Sequence, residues 1–160
     1  MLRVIIGQTV NQLCRAAPEA DSRTVTFFLD ELPRLGRMDV IEEALDIGRG
    51  FGVRLWMFCQ NIGQLDNAYP NAQGMMKSCA IRAFMNPDEQ TAHSLSQNLG
   101  QRESVLDGSR RPLAEASQLS GPDFANQVIV FGRSSHAARL EKCFAFADRV
   151  TAPRMKTAGS

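Results

Sequence analysis

Three short apolar runs constrain this chain more than anything else in it: TVTFFL at 24–29, VRLWMFC at 53–59 and AIRAFM at 80–85. Their near-continuous apolar and β-branched character, rather than strict alternation, is that of strands covered on both faces, as in a parallel sheet. The stretches between them read as helices. Residues 39–48 pair an Asp39/Glu42 capping-box spacing with an apolar face of Val40, Ile41, Ala44, Leu45 and Ile47. Gly48, Gly50 and Gly52 end that helix in a turn. A broken helical stretch follows to about Ser78, interrupted at Pro70. After the third run, Asn86-Pro87-Asp88-Glu89 supplies an N-cap, a proline at the first helical position and a Glu three after the cap. Ala92, Leu95 and Leu99 form the inner face, and Gly100 closes the helix. This rhythm predicts an α/β fold with a parallel core. Right-handed crossovers bring the C-terminal ends of parallel strands to one edge, where open α/β sheets bind ligands. The residues at those ends are Asp30 and Glu31, Gln60 and Asn61, and Asn86 with Asp88.

The rest of the chain limits the alternatives. Leu2, Ile5, Ile6, Val10, Leu13 and Cys14 have helical spacing over 2–16, a segment too short and polar for a membrane span and without the features of a signal peptide. Residues 17–23 read as a polar connector, 101–112 as a polar, basic loop, and 114–120 as a short helix. Residues 127–132 and 139–146 read as a hairpin. The length of 160 residues suggests one domain, set at 1–146 with a disordered tail at 147–160. A formal net charge of +1 gives no global field for nucleic acid, so any DNA contact must be local or come from other copies. Cys14, Cys59, Cys79 and Cys143 form no C-x-x-C pair and read as small buried hydrophobes of a reducing, cytoplasmic compartment.

The run VTFFLDELP, residues 25–33, aims two carboxylates at the end of a strand. Neighbouring strand residues point to opposite faces, which argues against an acid–base dyad on one substrate atom. Two readings remain. One is a solvated strand end whose Asp caps the next segment. The other is the Walker B pattern of nucleotide hydrolases, in which the Asp helps to hold Mg²⁺ on the phosphates and the Glu polarises the attacking water. His93, within a helix, and His136, in a hairpin turn, read as structural or exposed. Arg102, Arg110 and Arg111 form a small basic patch that is either a solvated loop or a contact to DNA phosphates. Trp56 and the phenylalanines have core spacing and are not read as base-stacking groups.

The longer string TFFLDELPRLGRMDVIEEALDIGRGFGVRLWMFCQNIGQL, residues 26–65, closely resembles the C-terminal ATPase half of the TraG/TraD-like coupling proteins of type IV secretion and conjugation. The resemblance rests on the strand with Asp30-Glu31, on Leu35-Gly36-Arg37, on Gly48-Arg49-Gly50-Phe51-Gly52, and on Gln60 followed by Gln64-Leu65. Tyr69-Pro70, Leu99-Gly100 and the block from Arg111-Pro112-Leu113 to the final strands extend it over nearly the whole chain. This region is often labelled the TraM-recognition region of TraD and TraG. The resemblance implies a partial RecA-like P-loop NTPase sheet, the Walker B half, with helices on both faces and a C-terminal hairpin. It implies that Asp30 is the magnesium residue, Glu31 the water-activating residue and Gln60 a sensor of the γ-phosphate. Arg49 matches a proposed arginine finger that reaches a neighbour's nucleotide. Plainer readings stay open for the last two: Gln60 as a strand cap, and Arg49 as a turn residue at a helix C-terminus, where a cation is favoured.

One part of the family pattern is not found. No G-x-x-x-x-G-K-[ST] loop, which cradles phosphates with backbone N–H groups and a lysine, occurs in the sequence. Met1 would then start well inside the family's domain. In that family's sheet the strand before this loop lies between the one ending at Gln60 and the one at 80–85. Its absence would leave exposed edges or force the two flanking strands to pair, giving a marginal fold for the chain alone. ATP and Mg belong to the complete family domain, and neither is expected to bind this chain tightly by itself. Two functions are consistent with this. The first is the motor half of a hexameric DNA-transfer ATPase at the cytoplasmic face of the bacterial inner membrane, with DNA, other coupling-protein subunits and secretion-channel components as partners. The second is a non-catalytic module that binds a TraM-like relaxosome accessory protein or another coupling-protein subunit.

Overall fold

The computed structural model describes residues 1–15, 24–103, 108–133, 136–144 and 147. The connector expected at 17–23, the end of the last expected strand and the tail after Ala147 lie outside the described residues. The chain divides into two compact units, Met1–Ala80 and Ile81–Ser160.

The first unit contains α1 (Leu2–Arg15), β1 (Val25–Leu29), α2 (Asp39–Ile47), β2 (Val53–Met57), α3 (Ile62–Ala68) and α4 (Ala72–Ser78). β1 and β2 pair in parallel, with Val25 opposite Val53 and Leu29 opposite Met57. Such pairing needs a crossover, and the segment containing α2 supplies it. The pairing continues past the strands: Phe58 N–H donates to Leu29 O at 3.1 Å, and Leu32 N–H donates to Phe58 O at 2.9 Å. The core gathers Val10, Leu29, Leu32, Ile41, Tyr69 and Met75, with Phe27, Leu55 and Met57 packed against it. α1 contributes through Val10, Ile6 and Cys14, whereas Leu2, Val4 and Ile5 are exposed. Among the described residues, no helix is long and apolar enough to cross a membrane.

Two expectations for this unit are corrected. The strands are not covered on both faces. Alternate residues point inward, and Phe28, Trp56 and Phe58 on the other face are 67%, 53% and 44% exposed. They stack along that face, with ring centroids 5.8 Å apart for Phe28–Trp56 and 6.4 Å for Trp56–Phe58. Trp56 is therefore a surface residue of a two-stranded sheet, not a core residue. Nor does Asp39 cap α2. The N-cap is Met38, and Asp39 is the first helical residue. The Arg37 guanidinium explains the difference, because its Nε lies 2.8 Å from Asp39 and 3.1 Å from Glu42 and draws both carboxylates to itself. After α2 a 3-10 turn spans Gly48–Phe51, and Gly52, at φ 72°, turns the chain into β2 in a region that favours glycine.

The second unit contains β3 (Ile81–Met85), α5 (Glu89–Leu99), β4 (Gln101–Glu103), β5 (Arg110–Pro112), α6 (Ala116–Leu119), β6 (Gln127–Gly132) and β7 (Ala138–Glu141). The third expected strand does not join a parallel sheet. β3 pairs antiparallel with β6, and β6 pairs antiparallel with β7, so β2 and β3 lie in different sheets. Burial explains the choice: β6 buries Val128 and Ile129, and Ile129 joins a core of Ala92, Leu95, Leu119 and Phe124, with Phe84 of β3 packed against it. Residues 101–112 are not all loop, because β4 and β5 pair antiparallel.

α5 starts two residues later than the spacing suggests. Asn86 takes a left-handed backbone at φ 44°, Pro87 precedes the cap, and Asp88 is the N-cap. The Asp88 carboxylate accepts a hydrogen bond from Thr91 N–H at 2.8 Å, and the Thr91 hydrogen bonds hold its pKa below the ordinary carboxylate value. Asp88→Ala is expected to destabilise the protein by about 1 kcal/mol at neutral pH, the typical loss for an N-cap. Because the folded pKa is depressed, this contribution is present above the unfolded pKa and is lost as pH falls through the folded one. Urea unfolding of both proteins at neutral and acid pH checks this, with the difference expected to shrink in acid.

Candidate functional site

β1 ends at Leu29, and the next two residues behave differently. Asp30 is exposed in a turn. Glu31 has φ 54° and ψ 53°, a left-handed backbone that a non-glycine residue adopts at a cost of about 1–2 kcal/mol. The residues on either side explain why it is held there. Leu29 is buried and locked to Phe58, and Leu32 is fully buried and donates its N–H to the Phe58 carbonyl. Between these anchors the chain reverses and enters a 3-10 turn, Leu32–Leu35, stiffened by Pro33. Within the Glu31 side chain, Oε1 is buried and has no hydrogen-bond partner, which is unusual for an acceptor of this strength.

The end of β2 supplies the facing wall. Gln60 lies in the bend after the strand, and Asn61 caps α3 by accepting from Gln64 N–H at 2.9 Å. An open pocket of about 580 Å³ lies between the two strand ends, with Glu31, Arg34 and Arg37 on one side and Gln60, Gln64 and Asn67 on the other. Beside Gln60, the Cys59 thiol is pushed up, first by burial of its sulfur and then by the negative charge of Glu31. The residue as a whole is exposed, but the thiol stays protonated near neutral pH and supplies no thiolate to the pocket.

Of the residues expected at a site, Glu31 and Gln60 are brought to one pocket, and Asp30 sits at its edge in sequence without lining it. Arg49 is elsewhere. It lies in the turn before β2, at the opposite end of that strand, and its carbonyl accepts from Arg54 Nη1 at 3.3 Å. Five strand residues separate the two ends, about 17 Å at 3.3 Å per residue. Asn61 and Asp88 both serve as helix caps. The sequence pattern does not mark Arg34, Arg37 and Asn67, which also line the pocket. The signal for Asn67 was its place three residues after Gln64 on one helix, which puts both on the same face.

Comparisons with known proteins bear on the family and the fold. Residues 1–120 match the family described as Type IV secretory system Conjugative DNA transfer. The type IV secretion system-coupling protein VirD4 of Bartonella quintana is 37% identical over 112 residues, covering 68% of this chain and 17% of the relative. A conjugal transfer protein TraG of Escherichia coli is 27% identical over 135 residues, covering 75% of this chain and 21% of the relative. The chain thus spans about a fifth or less of the length of these relatives. Among solved structures, plasmid coupling protein TrwB with a non-hydrolysable ATP analogue aligns at a TM-score of 0.72 and 24% identity, over 94% of this chain and 39% of that one. TrwB with ADP and Mg²⁺ aligns at 0.71 over 91% of this chain and 37% of that one. At this identity the structural likeness speaks for the α/β fold. The family match extends well beyond half of the sequence, and the chain belongs to the type IV secretory system conjugative DNA transfer family.

Proposed function

We propose that this chain supplies the metal and water arm of an ATP-hydrolysing coupling protein that drives DNA transfer through a type IV secretion system. The observation that carries this reading is the Glu31 carboxylate, held on a left-handed backbone with a buried oxygen that no group among the described residues satisfies, on the same pocket as Gln60. Strain and an unpaired acceptor at a strand end are features that folding alone does not favour. They suit a group that must accept a proton from water.

The residues present fit a magnesium nucleotide. When bound, it brings the phosphoryl group and the divalent charge, and structures of TrwB are described with ADP and Mg²⁺ and with an ATP analogue. Asp30, exposed in the turn after β1, would hold the metal through water. Glu31 would accept a proton from the attacking water, and Gln60 would sense the γ-phosphate. Arg49 lies too far along β2 to serve the same site, so it would act on a neighbouring copy's nucleotide in a head-to-tail ring of six subunits. No G-x-x-x-x-G-K-[ST] occurs within these 160 residues, so a phosphate cradle would be supplied from outside them. The setting would be the cytoplasmic face of the inner membrane, beside the secretion channel.

A second reading is a non-catalytic module that binds a TraM-like relaxosome accessory protein or a coupling-protein subunit, to which the exposed stack of Phe28, Trp56 and Phe58 would offer a surface. Calorimetric titration with MgATP separates the two. The hydrolase reading expects weak binding by the chain alone and micromolar binding once a phosphate-loop segment is supplied. No gain on supplying that segment, with tight capture of the accessory protein, would support the module.

A further inference from the structure

We propose that Arg34 binds the terminal phosphoryl group of the nucleotide from within this chain's own pocket, across from Gln60. This rests on the reading of the pocket as a magnesium nucleotide site, and it adds a cationic contact that the sequence pattern does not mark.

The turn after Glu31 sets the geometry. Arg34 N–H donates to the Glu31 carbonyl at 2.9 Å, and Gly36 N–H donates to the Pro33 carbonyl at 3.0 Å, which fixes the 3-10 turn Leu32–Leu35. Side chains three residues apart eclipse each other in a 3-10 turn, so an acid at 31 and a base at 34 have the spacing of an ion pair. No ion pair joins them, and Glu31 Oε1 stays without a hydrogen-bond partner. The left-handed backbone of Glu31 accounts for this, because the eclipsed alignment holds only for residues with helical dihedrals. Both residues nevertheless line the pocket. A carboxylate and a guanidinium thus face one open space without being joined across it.

The other lining groups complete the picture. Arg37 also lines the pocket, but its Nε lies 2.8 Å from Asp39 and 3.1 Å from Glu42, so its charge is offset at the rim. Arg34 is exposed, and its guanidinium has no partner among the described residues. The facing wall presents the side-chain amides of Gln60, Gln64 and Asn67, each with two N–H donors. A lone carboxylate would repel an anion from such a pocket. Arg34 offsets that charge and leaves the Glu31 oxygens open to accept a proton from water. Its planar fork of N–H donors matches phosphoryl oxygens, and the amides opposite can hold the same group from the other wall. An exposed ion pair contributes little to folding, so the fold loses little by keeping the two charges apart.

Inorganic phosphate tests this, titrated into the full, isotope-labelled chain at an ionic strength of about 0.1 M held with chloride. The NMR shifts of the Arg34 Nε–H and of the Gln60, Gln64 and Asn67 side-chain amides report occupancy. Saturable shifts are expected, with a Kd on the order of 1–10 mM. Arg34→Gln is expected to weaken binding at least about fivefold, and Arg34→Lys, which keeps the charge but loses the fork, by less. Urea midpoints show whether either variant disturbs the fold, and the wild-type Arg34 Nε–H, which should move in step with the amides, carries the test without any substitution. No saturable shift of these groups up to about 50 mM phosphate, or equal affinity in Arg34→Gln and wild type, would overturn the proposal. In an assembly that also holds a phosphate-loop segment, ATP turnover unchanged in Arg34→Gln overturns this contact and leaves the hydrolase reading intact. Phosphate binding through Arg34 in an assembly without ATP turnover overturns the hydrolase reading and leaves the contact standing.

Discussion

Replacing Tyr69 by alanine is expected to destabilise the protein by about 3–5 kcal/mol, the range for deleting a large aromatic side chain from a core. Tyr69 is fully buried in the cluster that also holds Leu29, Leu32 and Ile41. Its hydroxyl donates to the Gly36 carbonyl at 3.3 Å, which ties the residue to the pocket wall formed by Pro33, Gly36 and Arg37. Burial raises the phenol pKa above its ordinary value, so the group remains a neutral donor near neutral pH. Tyr69→Phe keeps the ring and should lose only about 0.5–1.5 kcal/mol, the worth of one ordinary hydrogen bond. Urea unfolding of the three proteins checks the order. An alanine variant within about 1 kcal/mol of wild type would mean that this core does not support the pocket.

Glu31 is expected to show the opposite balance. Glu31→Gly removes the left-handed strain, worth about 1–2 kcal/mol, and the buried unpaired oxygen along with it. Against this stands a loss of about 0.5–1 kcal/mol for the extra freedom of glycine in the unfolded chain. Strain relief less the glycine term leaves about 0–1.5 kcal/mol in favour of the variant, and loss of the unpaired oxygen adds to it, so the net expectation is a protein at least as stable as wild type. In an assembly that hydrolyses ATP, the same substitution should lower turnover by about 100- to 10,000-fold, the usual contribution of a positioned general base. A residue that improves stability when removed and abolishes chemistry is held in place for chemistry. A clear loss of stability in Glu31→Gly would instead make the carboxylate a structural cap.

Much of this pocket is legible in the sequence. The paired runs ending in Asp30-Glu31 and Gln60 define two parallel strands, because parallel pairing needs the crossover that the segment between them provides. Glu31 and Gln60 then meet at one edge for topological reasons. Three things were not legible. The left-handed backbone at Glu31 comes from long-range anchoring of Leu29 and Leu32 to Phe58, which no local pattern encodes. The pairing of β3 with β6 was missed because an apolar run carries no direction, and its partner is chosen by burial of residues far along the chain. The open aromatic face was missed because a continuous apolar run reads the same whether one face or both are covered in the chain at hand. The cap of α5 moved from Asn86 to Asp88 for a local reason: Asp88 reaches Thr91 N–H, and Asn86 takes the left-handed turn.

The most direct test measures MgATP affinity and steady-state turnover on the same preparation, for wild type and Glu31→Gln, in an assembly that also contains a phosphate-loop segment. The account predicts affinity within a few-fold of wild type for the variant and turnover lower by about 100-fold or more. Turnover in Glu31→Gln equal to that of wild type would contradict it.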